Sequence, residues 1–208
     1  MNTVLAVASV KSQEENMMKV LAINGSPRKG GNTTLLINTI FTELKKHGAT
    51  TEMVQIGGQI IRGCLACRQC FKNRNEKCVI KNDPINELIQ KMKEADVIIL
   101  GSPTYFTDVS AEMKAFIDRV GLVGGANNNM FKYKIGAAVV AVRRGGATHA
   151  FDTMNHFLHK HQMVMIGSTY WNFGIGLDSG EVAKDDEGME NMRNIADNIA
   201  WLYTKTSV

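Results

Sequence analysis

The sequence predicts an α/β protein built as a three-layer sandwich: a five-stranded parallel sheet with helices on both faces. Three observations predict it. Five short apolar segments alternate with segments of helical periodicity. The clearest strand segments are apolar almost throughout, the pattern of strands covered on both faces. Three strands end abruptly in loops of small, polar and basic residues, and ligands of doubly wound sheets gather beyond the carboxyl ends of strands.

Met18–Asn24 is the first strand. After the loop Gly25-Ser26-Pro27-Arg28-Lys29-Gly30-Gly31, a helix opens at Asn32 with Leu36, Ile40 and Leu44 on one stripe and Gly48 as its stop. Thr51–Ile56 is the second strand. Gly57–Asn82 has no periodicity and holds all four cysteines. Asp83-Pro84 reads as N-cap and first position of a helix that buries Ile85, Leu88, Ile89 and Met92. Asp96–Gly101 is the third strand and runs into Ser102-Pro103-Thr104-Tyr105-Phe106. Ser110 caps a helix with Met113, Phe116, Ile117 and Val120 inward and Gly121 as its end, and Gly124–Asn129 is a loose loop. Lys134–Val142 is the fourth strand, followed by Arg143-Arg144-Gly145-Gly146. A helix from Thr148 buries Phe151, Met154, Phe157 and Leu158. Met163–Tyr170 is the fifth strand, and Trp171–Gly188 a glycine-rich, acidic connection. A last helix, Met189–Tyr203, buries Met192, Ile195, Ile199 and Leu202. Five such strands suit the flavodoxin-like order 2-1-3-4-5, which brings the loops after strands 1, 3 and 4 to one edge.

At 208 residues and 44% hydrophobic, the chain fits one domain over residues 18–208, with residues 1–17 as an N-terminal extension and 58–82 as a cysteine-rich insertion. No apolar run approaches the ~20 residues of a membrane helix, and the first residues lack the basic segment and cleavage site of a signal peptide. Four cysteines without an export signal point to a reducing, cytoplasmic setting, where they serve as ligands or reactive thiols. The net charge of +4 suits anionic small molecules. Lys and Arg are not interleaved with aromatics, which argues against a nucleic-acid partner.

The first loop joins a strand end, a small-residue turn and a helix N-terminus, an arrangement that binds anions through outward N–H groups and the helix dipole. Arg28 adds a guanidinium, and Ser26, Asn32, Thr33 and Thr34 add short donors. The loop is neither a Walker A sequence nor Gly-x-Gly-x-x-Gly, and no acidic residue closes the second strand to hold a ribose. A mononucleotide phosphate therefore fits better than a dinucleotide. Tyr105 and Phe106 offer a flat wall for a ring, although aromatics at a strand end also serve as core. Arg143 and Arg144 with Gly145 and Gly146 offer close backbone approach and positive charge, or simply a solvated basic turn.

Gly25-Ser26-Pro27-Arg28 with Asn32-Thr33-Thr34, and Gly101-Ser102-Pro103-Thr104-Tyr105-Phe106 followed by Ser110-Ala111-Glu112-Met113-Lys114, resemble the two flavin loops of the NAD(P)H-dependent FMN reductase family. The resemblance covers Met18 to Tyr203. It implies that Ser26, Arg28, Gly30, Asn32, Thr33 and Thr34 bind FMN at its phosphate end. Pro103, Thr104, Tyr105 and Phe106 would line the isoalloxazine, with Arg144, Gly145 and Gly146 as the third flavin loop. NAD(P)H is the implied co-substrate, a quinone, flavin or other small molecule the electron acceptor, and a homodimer or homotetramer the implied assembly, in which a neighbour completes the flavin pocket.

Cys64, Cys67, Cys70 and Cys78 follow the spacing C-x2-C-x2-C-x7-C. Soft thiolates at such gaps select an iron–sulfur cluster or zinc, or remain as redox thiols. Val79, not proline, follows the last cysteine, unlike bacterial ferredoxins. The motif resembles the iron–sulfur flavoprotein branch of the family, and the resemblance implies a 4Fe–4S cluster beside FMN. His156, His159 and His161 read as a solvated helix end, and Asp185, Asp186 and Glu187 as a solvated loop. No nucleophile–base constellation is present. The expected protein is an FMN-dependent oxidoreductase in which the flavin carries the chemistry. The alternatives are a non-catalytic electron carrier working with a redox protein partner, which the basic pI of about 8.9 disfavours, and a thiol redox sensor.

Overall fold

In chain order the elements are β1 (Lys19–Asn24), α1 (Asn32–Lys46), β2 (Thr50–Gln55), α2 (Gln69–Asn73), α3 (Ile85–Glu94), β3 (Val97–Pro103), α4 (Ala111–Ala126), β4 (Ile135–Val142), α5 (Ala147–Lys160), β5 (Val164–Met165), β6 (Phe173–Ile175), a 3-10 turn (Glu181–Lys184) and α6 (Asp186–Thr206). The structure is a computed structural model and describes residues 17–206. The expected extension, Met17 apart, lies outside the described residues.

The sheet is parallel throughout, with the path β2-β1-β3-β4-β5 and β6 also on β4. This is the expected flavodoxin-like order. β4 is buried at every position, and β1 at every position after Lys19, as strands covered on both faces must be. One core cluster packs Ile98, Leu100, Ala138 and Val140 against α3, α4 and α5 through Leu88, Phe116 and Leu158. The other packs Val20, Ala22, Ile99 and Val139 against α1 and α6 through Ile37, Ile40 and Ile195. Alternate residues of each strand thus feed opposite layers.

Four expectations are corrected. The fifth strand is not one segment over Met163–Tyr170. β5 pairs only at Ile135 and Gly136, the chain swings out over Gly167–Trp171, and β6 rejoins β4 at Val140–Val142. Asn172 closes the gap: its amide donates to the Ala138 carbonyl (3.0 Å) and its side-chain oxygen accepts from Ser168 Oγ (2.8 Å). Gly121 does not end its helix; α4 continues to Ala126. Packing requires a glycine further along, at Gly124, where a Cβ would lie 2.7 Å from both His161 Cε1 and Phe131 Cε2. α3 starts at Ile85, one residue later than expected, with the Ile85 N–H donating to Asp83 Oδ1 (3.3 Å). α6 begins at Asp186, so the acidic run is a helix start and not a solvated loop. Asp185 accepts from the N–H groups of Gly188 (3.0 Å) and Ile175 (2.7 Å).

Candidate functional site

The loop after β1 is fixed from below. Asn24, fully buried, accepts from the Ser26 N–H (2.9 Å) and donates to Thr34 Oγ1 (2.9 Å). Gln55 donates to the Ser26 carbonyl (2.8 Å), and the Gly25 N–H to the Gly101 carbonyl (2.8 Å). No side chain caps α1, and its first turn has no acidic residue. Its ladder begins with the Leu35 N–H on the Gly31 carbonyl (3.1 Å), so the amides of Asn32, Thr33 and Thr34 precede it. Uncapped amides at the positive end of a 15-residue helix form an anion site.

The loop after β3 meets it. Ser102 Oγ accepts from the Ser110 N–H (3.0 Å), and Ser110 Oγ caps α4 by accepting from the Met113 N–H (3.3 Å). Phe106 and Thr107 both take left-handed backbone, φ 46° and 68°, and Gly146 packs against Thr107. Between the two loops lies a cleft of about 150 Å³ at the carboxyl ends of β1, β3, β4 and β6. Thr33 Oγ1 and Thr104 Oγ1, both of residues in that lining, are buried without a hydrogen-bond partner among the described residues. Buried hydroxyls are ordinarily satisfied, and two orphans in one cleft fit a ligand with acceptors at both.

Of the predicted residues, Ser26, Arg28, Asn32, Thr33, Pro103, Thr104 and Tyr105 line this cleft. Gly30 makes a left-handed turn outside it, and Thr34, whose hydroxyl oxygen accepts from Asn24, is not in the lining. Phe106 is fully exposed and outside the lining, and of the third loop Arg143 reaches the cleft while Arg144, Gly145 and Gly146 do not. Sequence reasoning missed Gly176 and Leu177, which complete the cleft from the end of β6. They begin a strap clamped to the first loop. Arg28 donates to the Leu177 carbonyl (3.0 Å), Ser179 Oγ to the Gly30 carbonyl (3.1 Å), and the Gly180 N–H to Asn32 Oδ1 (2.9 Å). Within the strap, Glu181 accepts from the Asp178 and Leu177 N–H groups (both 2.9 Å), and these bonds hold its carboxyl below the usual range. Only the density of Gly, Ser and Asp in Trp171–Gly188 could have signalled it.

The cysteine segment forms a second site. All four cysteines are free thiols, and all four line one small apolar pocket of about 20 Å³ with Leu65, Arg68, Val79, Ile80, Arg119, Leu122 and Val123. Ala66 and Arg68 are left-handed, φ 50° and 54°, which turns the chain between successive cysteines. Cys64 Sγ accepts from the Ala66 N–H (3.4 Å). Burial pushes the Cys70 thiol up against the pull of backbone N–H groups, and Cys67 and Cys64 add a smaller push. Among the described residues no three His, Cys, Asp or Glu side chains are gathered into a ready metal cage. Four soft donors around one pocket fit a thiolate-bound group in kind and in number.

Arg119 underlies that pocket, and sequence reasoning missed it. Its side chain is fully buried and forms an ion pair with Asp83. It also donates to the carbonyls of Arg62 (3.1 Å) and Ile80 (3.3 Å). Burial disfavours its charge, but Asp83 and then Cys78 outweigh this and hold the guanidinium above its ordinary range. The signal was its position three residues after Phe116 and four before Val123, on the buried stripe of α4. The three histidines do not share a site. His156 and His159 are exposed, but His161 is fully buried, a correction to the solvated helix end. Its ring is wedged against Phe157 (4.7 Å between centroids) and Phe131 (5.3 Å). Among the described residues both its nitrogens are unpartnered, and burial lowers its pKa to about 4.

Fold and site define a flavodoxin-like α/β protein with a polar cleft at an uncapped helix start and a separate thiol site. The family model described as NADPH-dependent FMN reductase matches residues 18–178. The chain therefore belongs to the NADPH-dependent FMN reductase family. An iron–sulfur flavoprotein of Methanocaldococcus jannaschii is 35% identical over 195 residues, covering 88% of this chain and 96% of that protein. An iron–sulfur flavoprotein of Methanosarcina thermophila is 32% identical over 181 residues, covering 86% and 92%. Among solved structures, a flavone reductase superposes with TM-score 0.70 at 18% identity, over 92% of this chain and 65% of the other. That likeness concerns the fold.

Proposed function

We propose that this chain is an FMN-dependent NAD(P)H oxidoreductase that passes electrons to a quinone, a flavin or another small acceptor. The observation that carries the reading is the pair of partnerless buried hydroxyls, Thr33 and Thr104, in a cleft that also holds an uncapped helix N-terminus. The Ser26 hydroxyl, the Thr33 hydroxyl and the first amides of α1 would hold the phosphate, with Arg28 closing over it from the strap side. Pro103, Thr104 and Tyr105 would bound the ring, and Arg143 would favour negative charge there. When bound, FMN supplies hydride acceptance from the nicotinamide and delivery to the acceptor; the chain binds, orients and excludes water. Loading with FMN, followed by steady-state oxidation of NADH and NADPH with a quinone, tests this. Absence of flavin binding, or binding without nicotinamide oxidation, would sink the enzyme reading.

A second reading, an iron–sulfur flavoprotein that carries electrons between redox proteins, is favoured by the cysteine segment. Cys64, Cys67, Cys70 and Cys78 would hold the 4Fe–4S cluster. Residues 57–82 contain Arg62, Arg68, Lys72, Arg74, Lys77 and Lys81 against the single acid Glu76, so this segment alone exceeds the whole chain's net charge of +4. All six cations are exposed, and among the described residues none forms a salt bridge. Ile60, Leu65, Phe71 and Val79 are exposed among them. A basic rim around an apolar patch fits an acidic protein partner. Electron exchange with such a partner that slows steeply as salt rises would support the reading. The exposed Tyr105 and Phe106 offer a second copy of the chain a contact at the cleft mouth, in a homodimer or homotetramer that sizing with and without FMN would detect.

A further inference from the structure

We propose that Arg119 is the charge-compensating anchor of the cysteine site, setting the reduction potential of the cluster that the four thiolates hold. The proposal rests on the cluster reading above and concerns a residue on α4, outside the cysteine segment.

Three observations carry it. First, Arg119 is a wholly buried cation in the lining of the pocket that all four cysteines share. A guanidinium deprived of water is costly unless opposed by negative charge. Asp83 balances it once, leaving a neutral pair beside four thiols whose ligating form is the thiolate. Second, its hydrogen bonds go to the two ends of the cysteine segment. Arg62, whose carbonyl accepts from Nη1, stands two residues before Cys64. Ile80, whose carbonyl accepts from Nη2, stands two residues after Cys78. One planar fork thus gathers the entry and exit of a segment that contains only one short helix, α2. Third, Nε is buried and has no partner among the described residues, while Cys78 is near enough to bear on the guanidinium. An N–H donor without an acceptor, beside a site built to hold anionic sulfur, is what sulfur-directed hydrogen bonding requires, and such bonds tune iron–sulfur potentials.

The sign of the effect follows from charge. Adding one electron to a thiolate-bound cluster increases its negative charge by one. A fixed cation nearby stabilises the reduced form more than the oxidised form and raises the potential. Asp83 acts in the opposite sense. Neutralising each member of the pair therefore moves the potential in opposite directions, whereas loss of a merely structural clamp would not.

The test is a mediated redox titration of anaerobically loaded protein, wild type against Arg119→Gln, Arg119→Lys and Asp83→Asn, with iron and sulfide measured for each and the flavin potential as internal control. The expected result is a downward shift in Arg119→Gln of at least tenfold in the reduction equilibrium, about 59 mV for one electron. Asp83→Asn shifts upward, Arg119→Lys shifts down by less than Arg119→Gln, and the flavin potential stays put. Equal cluster potentials in wild type and variants at full iron content would overturn the proposal and leave the cluster reading standing. Wild-type protein that takes up no iron and sulfide would overturn both, and the metal analysis separates these results. Should Arg119→Gln fail to fold, Asp83→Asn decides: an unchanged or lowered potential refutes the idea.

Discussion

Thr33→Val separates binding from folding, because it moves the two in opposite directions. Thr33 is 1% exposed, and its hydroxyl has no partner among the described residues. Valine keeps the shape and removes the orphan. A buried unsatisfied polar group costs about 1–3 kcal/mol, so the FMN-free variant should be more stable than wild type by about 1 kcal/mol, some 2–4 °C in melting temperature for a chain of this size. If the hydroxyl donates to a phosphate, the lost bond is charge-assisted and worth roughly 1.5–3 kcal/mol. That weakens FMN binding by about 10- to 150-fold. Thr34→Val is the contrast. Its hydroxyl already accepts from Asn24 (2.9 Å), so its loss should destabilise the FMN-free protein by about 1 kcal/mol. Melting curves of the FMN-free proteins and quenching of FMN fluorescence on titration measure both quantities. An unchanged affinity in Thr33→Val, or a loss of stability in its FMN-free form, would refute the assignment of Thr33 to the phosphate.

Other consequences are open to measurement. His161 keeps a pKa of about 4 when folded, against 6.5 for an ordinary histidine, because it is desolvated and, to a smaller extent, because Lys160 is near. The unfolded chain binds the proton first, so stability is intact above pH 6.5 and is lost as pH falls toward 4, by roughly 3 kcal/mol in total. Urea titrations followed by circular dichroism should show this loss in wild type and not in His161→Leu, and parallel pH profiles would contradict it. Asn32→Asp keeps an acceptor for the Gly180 N–H (2.9 Å) yet places a negative charge in the cradle; FMN affinity should fall more than tenfold, about 1.4 kcal/mol, with the strap's resistance to protease retained. Lys77→Glu with Lys81→Glu should slow electron exchange with an acidic carrier about 10-fold or more at low salt and flatten its salt dependence, while reduction of a small quinone stays at the wild-type rate.

The parts legible in the sequence are those encoded locally. The buried runs of β1, β3 and β4 and the stripes of α1, α3 and α5 carry their period within a dozen residues. The first loop declares itself because anion binding at a helix start uses consecutive residues. Long-range contacts left little trace. The strap reaches Asn32 and Arg28 from about 150 positions away, and nothing in Gly176-Leu177 announces it. The split of the last strand depends on Asn172, a polar residue placed to satisfy one carbonyl of a neighbouring strand. Gly121 looked like a stop, yet its helix runs on to Ala126, and the glycine that packing demands is Gly124, against His161 and Phe131.

Helix α4 ties the two sites into one device. Its cap, Ser110, donates its N–H to Ser102 in the ring-side loop. Two residues on, Glu112 accepts from the Gly58 N–H (2.9 Å) and so holds the start of the cysteine segment. At that start, Gly57 lies so close on the first loop that a Cβ would stand 2.2 Å from the carbonyl carbon of Ser26. Two turns further, Arg119 holds Arg62 and Ile80. From Ser110 to Arg119 the helix advances about 14 Å, so the cleft and the cysteine pocket are indexed to one rigid rod rather than to a flexible linker. A change in Glu112 should therefore be felt at both ends. Glu112→Ala removes a single exposed hydrogen bond, worth about 1 kcal/mol, yet frees the segment where it leaves the flavin loops. If the rod couples the sites, this variant will weaken FMN binding and loosen iron retention together, measured on one sample by flavin release and chelator-accessible iron. Loss of either alone would show that the two sites are held independently.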